Sequence, residues 1–197
     1  MTLLEIPAET FREASIPVLE TERLILRAPR LEDAKTIAML ANDRRIAENT
    51  ARIPHPYKLA DARDFVATVN LASETVFLVT LANETVIGAC GITQDGKANE
   101  IGYWLGARHW GKGYATEAVR AVIDHAFTDL DCEALQSAAR VTNPASRRVL
   151  EKCGFQWTGV GLIRIRALNS SAPIDRFRID RGLWASLKSW GKMHRVA

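Results

Sequence analysis

Glu100 to Ala118 reads EIGYWLGARHWGKGYATEA, and a change of period inside it decides the fold. Ile101, Tyr103 and Leu105 alternate with Glu100, Gly102, Trp104 and Gly106, which is the two-residue period of a strand. Arg108-x-x-Gly111-x-Gly113 follows at once. From Thr116 onward, Ala118, Val119, Val122, Ile123, Ala126, Phe127 and Leu130 fall on one helical face. A strand, a glycine-broken loop and a helix start, in that order, offer unpaired backbone N–H groups at the positive end of a helix dipole, a setting suited to phosphate. Glycine is needed there because a side chain would hold the backbone away from the anion or forbid the positive-φ turn that aims the N–H groups.

Outward from this stretch, residues 1 to 20 show no firm period and read as an N-terminal arm; the domain proper spans 21 to 197. Arg23 to Ala28 alternates as a first strand, Pro29 ends it, and Leu31 to Leu40 has helical spacing. Ala51 to Leu59 holds two prolines and reads as a loop. Asp61 is expected to cap a helix that buries Phe65, Val66 and Val69. Thr75 to Leu81 and Glu84 to Thr93 are β-rich, and Asp95-Gly96 is a hairpin signal ahead of Glu100, so three strands form an antiparallel meander. After the long helix, Leu135 to Val141 returns as a strand, which implies a parallel pair with a right-handed crossover. Asn143-Pro144 supplies an N-cap and N1 residue for a further helix that Gly154 closes. Phe155 to Arg166 and Arg176 to Ile179 are expected to form a closing hairpin around a loop from Asn169 to Asp175. Asp180 is then placed to cap a last helix with Leu183, Trp184, Leu187 and Trp190 inside. The sum is one α/β domain with a mixed sheet and helices on both faces.

Arg108-x-x-Gly111-x-Gly113-Tyr114-Ala115 resembles the acyl-CoA pyrophosphate loop of the GNAT superfamily of N-acetyltransferases, and Glu100 to Leu105 looks like the strand that leads into it. Asn143-Pro144-Ala145-Ser146-Arg147-Arg148-Val149-Leu150-Glu151-Lys152-Cys153-Gly154-Phe155 resembles a second signature of the same superfamily, in the right order. The wording is most similar to the branch that contains the ribosomal-protein N-terminal acetyltransferases, and the resemblance covers roughly Arg23 to Trp184. It implies a mostly antiparallel sheet of about seven strands, with a parallel pair splayed near Tyr103 and Val141 to form an acyl-CoA cleft. It also implies transfer of the acetyl group of acetyl-CoA to a primary amine, on a protein N-terminus or a small molecule, by direct attack in a ternary complex. No metal is implied.

The same resemblance distributes the site. Backbone of Tyr103, Trp104 and Leu105 would pair with pantetheine, with Asn143 holding its amide from the other side. Arg108, Gly111, Lys112, Gly113, Tyr114, Ala115 and Thr116 would surround the pyrophosphate, with Ser146 a further cofactor contact and Arg147 and Lys152 further phosphate partners. A plain strand-to-helix turn is the alternative for the two glycines, and surface solvation for Lys112, Arg147 and Lys152. Trp104 reads equally as core packing, Glu117 as a first-turn acid favoured by the helix dipole, and His109 as a solvated loop residue. An amine attacks only when neutral, and its pKa lies near ~8 for an α-amino group or ~10.4 for lysine, so a base is needed. Glu100, on a strand face shared with Gly102 and Gly106, is the candidate; a solvated strand end is the alternative. Many superfamily members carry a tyrosine where this sequence has Leu150, and that tyrosine protonates the departing thiolate. Leu150 has no proton to give, which turns attention to Ser146, in the first turn of the same helix; a serine bonded to helix-end backbone is the alternative.

A length of 197 residues, 47% hydrophobic and 25% charged, suits one compact domain. The net charge of +3 is too small to argue for nucleic acid. Cys90, Cys132 and Cys153 lack CxxC spacing and read as reduced thiols in the cytoplasm rather than a disulfide frame or metal site. No signal peptide or membrane-length apolar run is present; a homodimer is compatible with the sequence. The resemblance places acceptor choice in Ile53 to Leu59 and Ala167 to Asp175; Pro54-His55-Pro56-Tyr57 could line an acceptor groove, and Asp61, Asp64 or Asp175 could attract a cationic amine. Two rivals remain open. A dinucleotide-binding oxidoreductase would use Gly111-x-Gly113, but Thr116 stands where its third glycine belongs, and a meander precedes the loop. A non-catalytic acyl-CoA sensor of the same fold would suit the missing tyrosine.

Overall fold

The computed structural model describes residues 16–69, 74–95 and 98–193. Two short antiparallel strands open the chain, β1 (Leu19–Glu20) and β2 (Leu24–Arg27). A 3₁₀ turn, Leu31–Asp33, leads into α1 (Ala34–Ala41), followed by α2 (Arg44–Ala47) and α3 (Leu59–Thr68). The meander is β3 (Glu74–Leu81), β4 (Val86–Asp95) and β5 (Ala98–Leu105), and the long helix α4 (Tyr114–Thr128) follows the glycine loop. Then come β6 (Ala134–Arg140), α5 (Pro144–Lys152), β7 (Gln156–Ile165), β8 (Ser170–Asp180) and α6 (Arg181–Met193). The sheet runs β1-β2-β3-β4-β5-β6-β8-β7, and every neighbouring pair is antiparallel except β5 and β6. It has eight strands; the one beyond about seven is the two-residue β1, too short to show a period.

Alternation along the strands sorts two cores onto opposite faces of the sheet. Ile101 and Leu105 of β5, Leu135 and Ala139 of β6 and Phe177 and Ile179 of β8 pack with Val119, Val122, Ile123, Ala126 and Phe127 of α4. On the other face Val76, Leu78, Val86 and Ala89 meet α1 and α3 through Ile37, Leu40 and Ala62, with Trp104 against them. The buried stripe of α4 is the one its period dictates up to Phe127; Leu130, past the helix end, is 37% exposed. The three cysteines are buried as separate thiols.

Three local expectations need correction. Asp61 is the third residue of α3 rather than its cap: the helix starts at Leu59, and the Asp61 carboxylate accepts the Lys58 N–H at 2.8 Å. Residues 170–175 are strand rather than loop: Asn169 is the turn residue before β8, Ser170 to Pro173 pair with β7, and from Ile174 onward β8 pairs with β6 as well. Pro173 is tolerated there since its nitrogen faces the end of β6, where its carbonyl accepts from Val141 at 3.2 Å. Asp180 does cap α6, accepting from Leu183 at 2.9 Å, but only Leu183 and Trp184 reach the core, while Leu187 and Trp190 are exposed. The turn residues 96–97 lie outside the described residues, as do residues 1–15 of the arm; β4 and β5 pair as far as Asp95 and Ala98.

Candidate active site

Strand β5 is paired very unequally on its two edges. Against β4 its register runs through eight residue pairs, from Gly88 with Leu105 to Asp95 with Ala98. Against β6 only Asn99 with Leu135 and Glu100 with Gln136 are paired. Where the parallel strands part, the buried Ser137 hydroxyl donates to the Ile101 carbonyl at 2.9 Å and closes the apex of a V. Past that apex the free edge of β5, from Gly102 to Leu105, has no strand beside it among the described residues. Backbone polar groups along such an edge need partners, and an extended amide-bearing molecule would supply them.

The loop at the open end of the V is built to stay bare. Gly111 and Gly113 have φ of 74° and 83°, in the left-handed region that glycine enters without strain. Gly113 is the N-cap of α4, and among the described residues no side chain caps the first-turn N–H groups there. A Cβ on Gly111 would meet nothing within 4 Å, so the loop surface is open. Arg108, Lys112 and Trp110 are exposed around it, the Trp110 indole donating to the Leu105 carbonyl at 2.7 Å. His109 is buried, contrary to the solvated reading, and accepts from Arg108 Nε at 3.0 Å. Burial, with Arg108 and Lys112 nearby, pulls the imidazole below its ordinary pKa and keeps it neutral as that acceptor.

What fixes the loop comes from the far edge of the sheet. Glu117, in the first turn of α4, accepts from the Thr21 hydroxyl at 2.6 Å, the Arg23 N–H at 2.8 Å and Arg23 Nε at 2.7 Å. Arg23 Nη1 donates to the Lys112 carbonyl at 3.1 Å, and its guanidinium lies 4.8 Å from the Tyr114 ring centre. Burial works against the charged form of Glu117, but these donors outweigh it and hold the carboxyl below its usual range. Glu117 is thus an anchor rather than a plain first-turn acid. Nothing in sequence periodicity marks a bond between residues 94 apart.

Across the V, α5 begins with Asn143, whose Oδ1 accepts the Ser146 N–H at 3.1 Å. The Ser146 and Tyr103 hydroxyl oxygens are 2.7 Å apart, and Tyr103 Oη also lies 3.1 Å from the Ser146 carbonyl. Burial pushes the Tyr103 phenol far above its ordinary pKa, so it holds its proton. Leu150 is fully buried in the core. Arg147 is shared between Glu151 at 2.9 Å and Asp175 at 3.6 Å, and Asp175 also accepts from the Trp157 indole at 2.9 Å. Lys152 is exposed at the C-terminal end of α5. Tyr103, Asn143 and Ser146 therefore meet on one side of the cleft, and Arg108 through Thr116 gather at its mouth. Glu100, Gly102 and Trp104 point to the opposite face of β5. Glu100 is exposed there beside Gly102, where a Cβ would touch nothing within 4 Å.

A profile of the acetyltransferase (GNAT) domain matches residues 23–156, the span from β2 to the start of β7. The chain belongs to the GNAT family of acetyltransferases. Among curated relatives, this GNAT protein is 34% identical over 150 residues to "uncharacterized N-acetyltransferase p20" of Bacillus licheniformis, covering 72% of this chain and 84% of that one. It is 28% identical over 174 residues to "uncharacterized N-acetyltransferase YoaA" of Bacillus subtilis, covering 81% and 93%. Among solved structures, Mycobacterium smegmatis RimJ in complex with CoA-disulfide superposes with a TM-score of 0.74 at 19% identity, over 89% of this chain and 94% of that one. A GNAT-family acetyltransferase from Bacillus anthracis gives 0.74 at 22% identity, over 83% and 98%. The fold is thus shared well beyond detectable likeness in sequence. Among the described residues, no helix is long and apolar enough to cross a membrane.

Proposed function

We propose that this GNAT protein transfers the acetyl group of acetyl-CoA to a primary amine by direct attack, with both substrates bound at once. One observation carries the reading: the bare start of α4 lies at the mouth of the V opened by β5 and β6. An acyl-CoA has a pyrophosphate at one end and an amide-bearing arm at the other. The loop from Arg108 to Thr116 would bind the first, through backbone N–H groups and the charges of Arg108 and Lys112. The free edge of Tyr103 to Leu105 would bind the second, with Asn143 on the facing helix, while Arg147 would add charge for the phosphates. When bound, the co-substrate supplies an acyl group activated as a thioester, which opens toward nucleophiles.

Glu100 serves as the base on the acceptor face, directly or through water, taking the proton that an amine must lose before it attacks. Ser146 serves as the acid on the cofactor face. The Tyr103 proton has two acceptors in reach, the Ser146 carbonyl and the Ser146 hydroxyl oxygen. As the thiolate departs, the Ser146 hydroxyl can donate a hydrogen bond to the sulfur while Tyr103 donates to the Ser146 oxygen. The pair thereby spreads the leaving charge, and the thiolate departs charged or takes a proton from solvent. This pairing takes the place that Leu150 cannot fill.

Acetyl-CoA should raise the melting temperature by mass action and NAD should not, and CoA should be released when an acetyl-accepting amine is added. Stabilisation by NAD alone would revive the oxidoreductase. Binding of acetyl-CoA with no CoA release across a broad amine panel would favour the sensor.

A further inference from the structure

We infer that the amine acceptor carries an oxyanion, a carboxylate or a phosphate, which Arg176 and Arg140 hold on the open face of the sheet; this rests on the acetyltransferase reading above. Helices α1 and α3 cover β3 and β4 on that face, but it continues past β5 across β6, β8 and β7. There β6 presents Gln136, Ala138 and Arg140, and β8 presents Ile174, Arg176 and Arg178, opposite in face to the core residues Leu135, Ala139, Phe177 and Ile179. Glu100 is on the same face, paired with Gln136, which is paired in turn with Arg178.

The floor is shaped around one arginine. A Cβ on Gly161 would fall 2.5 Å from Arg176 Nε and 2.8 Å from its Nη2, so the guanidinium lies over β7 in the space that a side chain at that position would take. Gly159, paired with Arg176, leaves nothing within 4 Å of where its side chain would be. Arg140 is the diagonal neighbour of Arg176, since Arg140 pairs with Ile174 and Ala138 with Arg176. Arg140 Nη1 donates to the Glu48 carbonyl at 2.8 Å, while its Nε is buried with no partner among the described residues.

The nearby acids do not neutralise this pair. Glu48 is bonded to Arg44, Glu74 to Arg52, and Asp180 to Arg178. Asp175, which was to attract a cationic amine, points to the other face and is held by Trp157 and Arg147. No carboxylate forms an ion pair with Arg140 or Arg176 among the described residues. Two arginines at diagonal positions on neighbouring strands, neither in an ion pair with a carboxylate, add positive charge to one face, and a bidentate oxyanion would neutralise it. By backbone position the anion would sit about one and a half inter-strand spacings across the sheet and three residues along it from Glu100, roughly 12 Å from where the amine is activated. A polyamine would bring positive charge to the same place.

The test uses four amines of one length and the intact protein: aminooctanoate, aminooctyl phosphate, the neutral aminooctanamide and diaminooctane. CoA release should show kcat/KM at least tenfold higher for one or both anionic amines than for the amide, with the diamine lowest; which anion leads separates carboxylate from phosphate. That ratio should fall toward one in Arg176→Gln and in Gly161→Ala, return in part in Arg176→Lys, and shrink as salt is added. Acetylation of all four amines at similar kcat/KM, or a preference for the diamine, would overturn the anion site while leaving the transferase reading intact. A second readout does not depend on turnover. The Arg176 side-chain Nε–Hε NMR signal should move on titration with either anionic amine and stay fixed with the amide. Such a shift with no acetylation of any amine would support the anion site and count against the transferase reading; no shift would count against the site.

Discussion

Two helices begin at the cleft, and they begin in opposite ways. Helix α4 starts at a left-handed glycine with no side chain on its first N–H groups among the described residues, and its loop is pinned from outside by Arg23, which bonds to Glu117 and to the Lys112 carbonyl. Helix α5 starts at Asn143, which satisfies its own first turn by accepting from Ser146, with Pro144 at N1, where a missing N–H costs nothing. An open start offers backbone to a ligand, whereas a self-capped start can offer only side chains. On this reading α4 binds the anion and α5 supplies the hydroxyl chemistry.

The largest effect should come from the side chains of α5. General acids typically contribute between about 10²- and 10⁴-fold. Ser146→Ala is therefore expected to lower turnover at saturation by roughly a hundredfold with little change in acetyl-CoA affinity, and Tyr103→Phe by less, because the serine hydroxyl remains. Steady-state kinetics beside calorimetry checks both. If affinity falls and turnover holds, α5 is a binding element and the contrast between the two helix starts disappears.

The open start of α4 should respond in binding instead. Gly113→Val adds a β-branched side chain at a φ of 83°, and its Cβ would come 3.3 Å from Arg23 Nη2. Losing one charge-assisted N–H contact is worth roughly 1.5–3 kcal/mol, so acetyl-CoA should bind about tenfold or more weakly. Circular dichroism should show the fold retained, since the loop is exposed and both cores are untouched. A folded variant with unchanged affinity would mean that α4 does not hold the co-substrate.

Smaller still is the contribution of the α5 cap to stability. Asn143→Ala removes the acceptor for the Ser146 N–H and should cost about 1 kcal/mol, read as a lower denaturation midpoint at unchanged slope. A much smaller loss would show that α5 is held by packing alone, and that its start is less closed than the geometry indicates.

These contrasts were unequally visible in the sequence. Alternation around Tyr103, the Gly111 and Gly113 pair and the Asn143-Pro144 cap are local, set by chemistry within four residues, and the structure places each element accordingly. The strand from Ser170 was hidden, because SSAPID has turn composition and becomes strand only through its pairing with β7, joined by β6 from Ile174. The Tyr103–Ser146 contact spans 43 residues and the Arg23–Glu117 contact 94, distances over which one sequence carries no periodic signal. Helix α6 failed differently: its apolar spacing was real, but Leu187 and Trp190 extend past the core that would bury them.

The outside anchor of α4 should have the smallest effect, with a pH dependence that identifies it. Glu117 has a folded pKa below its ordinary value of 4.5, because the donors from Thr21 and Arg23 outweigh the burial that opposes its charge. A depressed carboxylate contributes stability that is full above the unfolded value and is lost as pH falls through the folded one. Glu117→Gln should therefore lower the melting temperature at pH 7, and the gap from the native protein should narrow on acidification below about 4.5 and close once both forms are uncharged. Because the Arg23 side chain is 45% exposed, acetyl-CoA affinity at pH 7 should fall by no more than about fivefold. Added salt should weaken native binding toward that of the variant. A melting-temperature gap that persists undiminished at pH 3 would show that shape, not charge, pins the loop. The two helix starts would then differ in backbone conformation alone.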